Sequence, residues 1–198
     1  MLIQILMLVL ETITGLLTFA LLVRFAMQWA RAPFRNPLGQ FVVAVTDWMV
    51  RPVRRFVPGM FGVDMASLLL AWLWQAAFLG VSLGLSGAFI AVSPVPQGFP
   101  SVTSTFAVAI IAVFETAKLG IYVAMGGVLV SAVLSWVNPY APMADVFNAI
   151  SRPLLRPFRR FIPPIGGMDL SPLGLLLALQ IGLIILAGLR NEILSLAR

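Results

Sequence analysis

The sequence contains no cysteine and no histidine, and only 10% of its 198 residues are charged. The missing residue types exclude disulfide bonds, thiol catalysis, imidazole acid–base chemistry and the usual ligand sets of structural zinc. Soluble chains carry roughly a quarter charged residues, so an ordinary soluble domain is also excluded. A hydrophobic share of 61% is typical of a membrane protein with several spans. We expect no metal, no cofactor and no enzymatic activity.

Four apolar segments are long enough to cross a bilayer, which requires about 20 residues. They cover residues 3–29, 65–92, 106–137 and 173–190. The first has no basic residue before Arg24, unlike a secretory signal, so we expect a retained helix. An uncharged segment rich in proline separates the second span from the third, and this composition predicts a loop.

One sequence occurs twice in the chain. Arg51–Leu68 and Arg156–Leu173 are identical at 9 of 18 positions, which indicates an internal duplication. We predict one repeat over residues 1–92, an outer loop over residues 93–105 and a second repeat over residues 106–198. Each repeat holds two spans, so the copies point the same way. The predicted fold is an all-α membrane protein whose four transmembrane helices form two parallel helix–interfacial helix–helix repeats.

The connector between the two spans of each repeat is rich in arginine, whereas the middle loop has no basic residue. The positive-inside rule therefore places both connectors in the cytoplasm and the loop and termini outside. Arg24 is expected to extend to the cytoplasmic side. Helical spacing predicts a short amphipathic helix in each connector. In the first, the polar face holds Gln40, Ala44, Asp47 and Arg51, and the apolar face holds Phe41, Val42, Val45, Trp48 and Met49. We expect Asn36-Pro37 and Asn138-Pro139 to end the preceding spans.

The strongest candidate site is the pattern Arg-Pro-x-Arg-Arg-Phe-x-Pro, followed by Gly-x-Asp, in each connector. Its prolines predict a rigid, non-helical segment, and guanidinium groups suit phosphate and carboxylate. Three interpretations stay open: contact with anionic lipid, internal pairing with an aspartate, and a binding site for a partner. The candidate residues are Arg51, Arg54, Arg55, Arg156, Arg159 and Arg160. We call residues 51–55 and 156–160 the arginine segments.

Asp64, Asp169 and Ser171 have a structural interpretation. Each aspartate lies at the start of a span, where a carboxylate favours the helix N-terminus. Ser171 is a candidate N-cap, with Pro172 as the first helical residue. Pairing is the other role: Asp64 with Arg54 or Arg55, and Asp169 with Arg159 or Arg160.

Glu11 and Glu115 recur at corresponding places in the first span of each repeat. A carboxylate inside a bilayer indicates a functional site by default, so Glu11, Glu115 and Lys118 are a candidate ion path. The alternative is an interfacial role, because each glutamate lies about one hydrocarbon thickness from the tryptophan near the other end of its span. Lys118 shares a helical face with Glu115 and can neutralise it.

These motifs resemble the YggT family of bacterial integral membrane proteins, which is similar to the YlmG proteins. The resemblance rests on the Asn-Pro dipeptides, the amphipathic stretches and the run from Ser151 to Pro172, and it covers essentially the whole chain as a two-repeat form. The first copy departs from the pattern at Gly59, Phe61 and Ser67. Membership implies a bacterial cytoplasmic (inner) membrane protein without established catalytic activity. Suggested family roles are tolerance of osmotic or ionic stress and assembly or division functions.

Two hypotheses follow. The first is a non-enzymatic scaffold, assembly or membrane-stress factor whose arginine segments engage anionic lipid headgroups or a membrane-protein partner. The second is a small ion channel or osmolyte transporter, which requires a homo-oligomer because four spans make a thin pore wall. Nucleic acid is not expected as a partner, because the arginines lie beside apolar spans.

Overall fold

The computed structural model describes residues 1–57, 59, 63–86, 101–138, 141, 143–162 and 169–196. Its helices are α1 (Leu2–Trp29), α2 (Pro37–Arg54), α3 (Met65–Ser86), α4 (Ser101–Val137), α5 (Ala144–Phe161) and α6 (Ser171–Leu196). Four of them, α1, α3, α4 and α6, are long and apolar enough to cross a membrane. The described residues contain no β-strand. The predicted all-α fold with four spans is therefore confirmed.

Two helices extend beyond the predicted spans. α4 begins at Ser101, so residues 101–105 are helical, whereas the part of α4 that is apolar enough to cross a membrane begins at Phe106, as predicted. α6 continues to Leu196, since Arg190 forms an ion pair within the bundle and its charge does not end the helix. The rest of the predicted loop, residues 87–92 of the second predicted span, and the prolines after the arginine segments lie outside the described residues.

α4 lies at the centre of the helix arrangement. Within the repeats, α1 packs on α3 and α4 packs on α6, and α4 also contacts α1, α3 and α5. The larger apolar core joins α1, α2 and α3 to α5 around Leu21, Met27, Val50 and Val146. A smaller core joins α4, α5 and α6 at Val128, Leu155 and Leu175. Each connector helix is thus attached to the spans by a buried apolar face.

The outward faces of the spans are apolar. Large exposed side chains include Ile5, Leu16, Val113, Ile181 and Ile184. In water such a surface would be an aggregation hazard, whereas in a bilayer it is the expected lipid contact. The chain is therefore a multi-pass membrane protein.

α2 divides its apolar residues between two faces, where the sequence pattern predicts one. Val42 and Met49 are buried against the spans, whereas Phe41 and Trp48 are 62% and 65% exposed. The pattern could not separate these faces because both are apolar and adjacent around the helix. Exposed aromatic side chains on a helix of this kind are typical of the membrane–water interface.

Asn36-Pro37 begins α2 and does not end α1, contrary to the prediction. The Asn36 side-chain carbonyl accepts a hydrogen bond from the Gly39 N–H at 2.8 Å, and Pro37 is the first helical residue, as helix starts favour. α1 ends earlier, at Trp29. Arg31 adopts a positive φ of 52° shortly after it, and this conformation turns the chain away from the helix. In the second repeat α4 ends at Val137, directly before Asn138, as predicted.

Candidate functional site: the arginine-rich connectors

Both arginine segments are mostly helical, so the prediction of a non-helical segment is wrong. Residues 51–54 form the last turn of α2, and residues 156–160 lie within α5. The internal prolines Pro52, Pro153 and Pro157 are all on exposed sides. Water can therefore satisfy the carbonyl that each proline leaves without a donor, which makes proline tolerable inside these helices.

Arg24 of α1 is the centre of a buried ionic cluster in the first repeat. Its side chain is 4% exposed, and its Nη2 lies 3.1 Å from Asp47 Oδ1. Its Nη1 donates to the Thr46 hydroxyl at 2.8 Å, and its Nε lies 3.6 Å from Asp64 Oδ2. Arg51 binds the other oxygen of Asp47 at 2.6 Å. The expectation that Arg24 extends to the surface is therefore wrong. Its charge stays buried because two carboxylates inside the fold offset the cost of burying it.

Asp64 is the second centre of this cluster. Its side chain is 1% exposed, and its Oδ2 accepts hydrogen bonds from Arg54 at 2.6 Å and from the Ser67 hydroxyl at 2.7 Å. Burial acts most strongly and opposes ionisation, but the hydrogen bonds from Arg54 and Ser67 and the charges of Arg54 and Arg24 together outweigh it. The pKa of the Asp64 carboxyl therefore lies below its ordinary value, and the same hydrogen bond raises the pKa of Arg54.

The corresponding pair of the second repeat is open to solvent. Arg159 Nε lies 2.9 Å from Asp169 Oδ2, and the two side chains are 53% and 36% exposed. Asp169 Oδ1 also accepts from the Ser171 backbone N–H at 2.9 Å, so Asp169 supplies the cap of α6. Burial acts first and raises the pKa of Asp169, but hydrogen bonds from Ser171 and Arg159 lower it more, so the pKa of Asp169 lies below its ordinary value.

Ser171 does not occupy the predicted N-cap position. It is the first residue of α6, it is buried, and its hydroxyl donates to the Ile162 carbonyl at 3.5 Å. The Asp169 carboxylate accepts a hydrogen bond from the N–H of Ser171, the first residue of the helix, two positions along the chain. Asp169, and not Ser171, therefore caps α6.

When the first spans of the two repeats are aligned on Glu11 and Glu115, Val128 of α4 corresponds to Arg24. The Val128 side chain is 0% exposed. Val128 packs with Leu155 and Leu175. The cluster's other members change as well, because Arg152 stands where the first repeat has Asp47. The first connector helix is therefore held by an ionic cluster in addition to its apolar packing, whereas Val128 adds apolar packing to the second.

Six connector arginines are exposed, and their side chains form no hydrogen bond or ion pair with the described residues. They are Arg31, Arg35, Arg55, Arg152, Arg156 and Arg160. Each inward-paired arginine, Arg54 or Arg159, is thus followed directly by an unpaired one, Arg55 or Arg160. The internal-pairing interpretation is therefore confirmed for Arg54 and Arg159, and external binding stays a prediction for the unpaired arginines.

The two glutamates of the candidate ion path lie in different surroundings. Glu115 forms an ion pair with Lys118, and its Oε1 lies 3.5 Å from Arg190 Nη1 of α6. Glu11 is exposed, and its side chain forms no hydrogen bond or ion pair with the described residues. The structure therefore joins Glu115 to Lys118 and Arg190, and it does not add Glu11 to that group.

Sequence reasoning missed the ion pairs that Arg24, Asp47 and Arg190 form between helices. A usable signal was present, because a charge inside an apolar span requires a partner. Asp47 on the polar face of α2 could have been assigned to Arg24 on that ground. The described residues contain no group of acidic side chains that could hold a metal ion.

A family model described as CCB3/YggT matches residues 3–84 and residues 110–190. The two matches cover most of the chain, one in each repeat. The chain belongs to the CCB3/YggT family. An uncharacterised Pseudomonas aeruginosa protein is 39% identical over 175 residues, covering 87% of this chain and 83% of that protein. Uncharacterised protein YggT of Escherichia coli K12 is 36% identical over 173 residues, covering 87% of this chain and 84% of YggT.

A Vibrio alginolyticus protein, also described as uncharacterised, is 31% identical over 176 residues, with 86% of each chain covered. No solved structure is significantly similar to this YggT-family chain. The family resemblance seen in the sequence is confirmed, and nothing in these relatives' descriptions indicates an activity.

Proposed function

We propose that this YggT-family protein is a non-enzymatic scaffold, assembly or membrane-stress factor of the bacterial cytoplasmic membrane. Its two connectors lie on the cytoplasmic face and bind anionic lipid headgroups. The observation that supports this proposal is the set of six exposed, unpaired connector arginines. These side chains are free to bind a negatively charged partner from outside the described part of the chain.

Exposed aromatic side chains beside these arginines favour a lipid surface. Phe41, Trp48 and Phe56 are exposed in the first connector, and Phe161 is exposed in the second. Aromatic rings favour headgroup depth, and each basic residue near an anionic bilayer contributes about 1 kcal/mol of attraction. Arginine also offers a planar fork that binds two phosphate oxygens at once. Aromatic anchors and cationic forks together match the composition of an anionic membrane surface.

Lipid enrichment in nanodiscs tests the proposal. The purified protein is reconstituted in equal parts of phosphatidylglycerol and phosphatidylcholine, and the lipids it retains are counted by native mass spectrometry. We expect enrichment of phosphatidylglycerol, with a fall of roughly thirtyfold in the double variant Arg55→Gln/Arg160→Gln, because two headgroup contacts of about 1 kcal/mol each are removed. Arg55→Lys/Arg160→Lys keeps the charge and measures the part that depends on the guanidinium fork.

The matched control is Arg54→Gln/Arg159→Gln, which removes the same charge from the adjacent, internally paired positions. It should leave most of the enrichment in place. An equal loss of phosphatidylglycerol enrichment in both double variants would contradict the proposal, because it would mean that the enrichment depends only on the net charge of the protein. If Arg55→Gln/Arg160→Gln left lipid enrichment unchanged but lost a crosslinked protein partner, the ligand of these arginines would be that protein and not lipid.

A further inference from the structure

A large apolar groove lies between the two repeats. Its volume is about 620 Å³, within the range of about 300–1,000 Å³ that is usual for small-molecule sites. α1 and α3 of the first repeat form one side, and α4 and α5 of the second form the other. The groove therefore exists only because the two repeats meet.

Two polar side chains of the groove wall are already hydrogen-bonded. The Thr116 hydroxyl donates to the Ala112 carbonyl at 2.7 Å, and the Trp72 indole N–H donates to the Ala109 carbonyl at 3.0 Å. The other walls are formed mainly by aliphatic and aromatic side chains such as Leu22 and Leu68. A polar ligand would lose its hydration without gaining hydrogen bonds here, so the site suits a hydrocarbon.

The length of the groove matches one leaflet of a bilayer. Its lining on α4 runs from Val113 to Ala124, which is about 16 Å at 1.5 Å per residue. Half of the hydrocarbon core is about 15 Å thick. At the connector end the groove is lined by Trp29, Val57 and Ile150. A lipid on the connector side could place one acyl chain along α4 and keep its headgroup at the connectors.

The charge at this end of the groove favours an anionic headgroup. Arg31 and Arg55 each lie two residues from a lining residue, Trp29 or Val57, and both are exposed and unpaired with the described residues. No acidic residue lies between 25 and 46 in the sequence. Asp64, the acid nearest in sequence to Val57, is buried and neutralised by Arg54. The mouth therefore presents positive charge beside an apolar channel.

We infer that this groove binds one acyl chain of an anionic glycerophospholipid from the connector-side leaflet, with the headgroup held near Arg31 and Arg55. The lipid fills the space between the repeats and fixes their relative position. The choice of an anionic headgroup rests on the proposed function, whereas the acyl-chain site rests on the shape and chemistry of the groove alone.

Gly120 allows a sharp test because it lines the groove and a Cβ added there would meet no atom within 4 Å. Gly120→Leu should fill the groove without disturbing the fold. Gly126→Leu is the matched control: it lies on the same helix, also has open space around a Cβ, and is not part of the groove. The probes are phosphatidylglycerol and phosphatidylcholine with a diazirine on one acyl chain, incorporated into nanodiscs with the whole protein.

Mass spectrometry of the crosslinked peptides gives the readout. We expect crosslinks from phosphatidylglycerol to residues 113–124, their loss in Gly120→Leu and their retention in Gly126→Leu. In Arg31→Gln/Arg55→Gln the preference for phosphatidylglycerol over phosphatidylcholine should fall about thirtyfold, with groove labelling retained. Melting curves of the variants confirm that each is folded.

Two contrary outcomes are distinguishable. Groove labelling that persists in Gly120→Leu, or that is equally strong throughout the outward faces of α1 and α6, overturns the acyl-chain site even if connector arginines still enrich phosphatidylglycerol. Equal groove labelling by both lipids in the unaltered protein overturns the anionic headgroup and contradicts the proposed function at these arginines, while the acyl-chain site stands.

Discussion

The two repeats carry the same motif but stabilise their connector helices with different chemistry. In the first, Arg24 is buried between Asp47 and Asp64. In the second, Val128 fills the corresponding place and packs on Leu155. Both arrangements hold a connector helix against the first span of its repeat. The duplicated sequence therefore specifies an architecture, and the interactions inside it have diverged.

The arginine–aspartate pair that both repeats share also differs in burial between them. Asp64 is 1% exposed beside Arg54, whereas Asp169 is 36% exposed beside Arg159. Buried ion pairs are expensive to form and costly to break, and exposed pairs contribute little. The same motif is thus structural in the first repeat, whereas in the second it adds little to stability.

Exchanging the two central residues should give the largest effect. Val128→Arg places a charge in an apolar core with no carboxylate in its place, because the counterpart of Asp47 is Arg152. We expect a loss of several kcal/mol of unfolding free energy, enough to prevent stable folding. Arg24→Val should cost less, about 1–3 kcal/mol, because Asp47 and Asp64 keep Arg51 and Arg54 as partners.

Unfolding by SDS in mixed detergent micelles measures both changes. Val128→Leu serves as the control for altered volume without charge, and it should remain folded. The comparison between the repeats would be refuted if Val128→Arg were tolerated while Arg24→Val abolished folding.

Neutralising the two aspartates should give the next largest difference. Asp64→Asn leaves Arg24 and Arg54 with less negative charge in a buried site, and we expect about 3–5 kcal/mol of destabilisation. Asp169→Asn removes an exposed ion pair and retains an oxygen that can cap α6, so its cost should be below about 1 kcal/mol. The same micelle unfolding assay resolves these values, and equal costs would show that the two pairs are equivalent.

Acid should reveal the same difference through pH. Both aspartates have a folded-state pKa below the ordinary value, so their stabilisation is complete above about pH 4 and is lost as the pH falls through the folded-state pKa. Titrating stability between pH 7 and pH 3 should show a decline that Asp64→Asn flattens more than Asp169→Asn does. A curve unchanged by Asp64→Asn would mean that its ion pairs do not contribute to stability.

Much of this architecture could be predicted from the sequence. The four spans follow from apolar length, and the connector helices follow from the spacing of Asp47, Arg51 and their neighbours. The helical state of the arginine segments could not be predicted, because local proline rules argue against a helix while exposure and tertiary packing permit one. The ion-pair partners of Arg24 and Arg190 could not be predicted either, because each pair joins helices that are distant in sequence. The burial of Asp64 and the exposure of Asp169 decide how much each contributes to stability, and the residues that the two copies share do not reveal this difference.

The smallest effects should come from the two glutamates, and their difference bears on the ion-path hypothesis. Glu115→Gln leaves Lys118 and Arg190 without a counter-ion, and because these side chains are partly exposed we expect a cost of about 1 kcal/mol. Glu11→Gln alters an exposed residue without a partner among the described residues, so its effect should stay within about 0.5 kcal/mol. Micelle unfolding separates the two.

Flux of K⁺ and Na⁺ into proteoliposomes tests the role of the same glutamates in transport. An ion path that used both repeats alike would lose flux in either single variant, whatever the stability of the protein. The structure places Glu115 in an ion-paired group and Glu11 on an exposed face, so we expect no flux that depends on Glu11. Flux abolished by Glu11→Gln would show that the two positions act together after all, and it would move the function from the connectors to the spans.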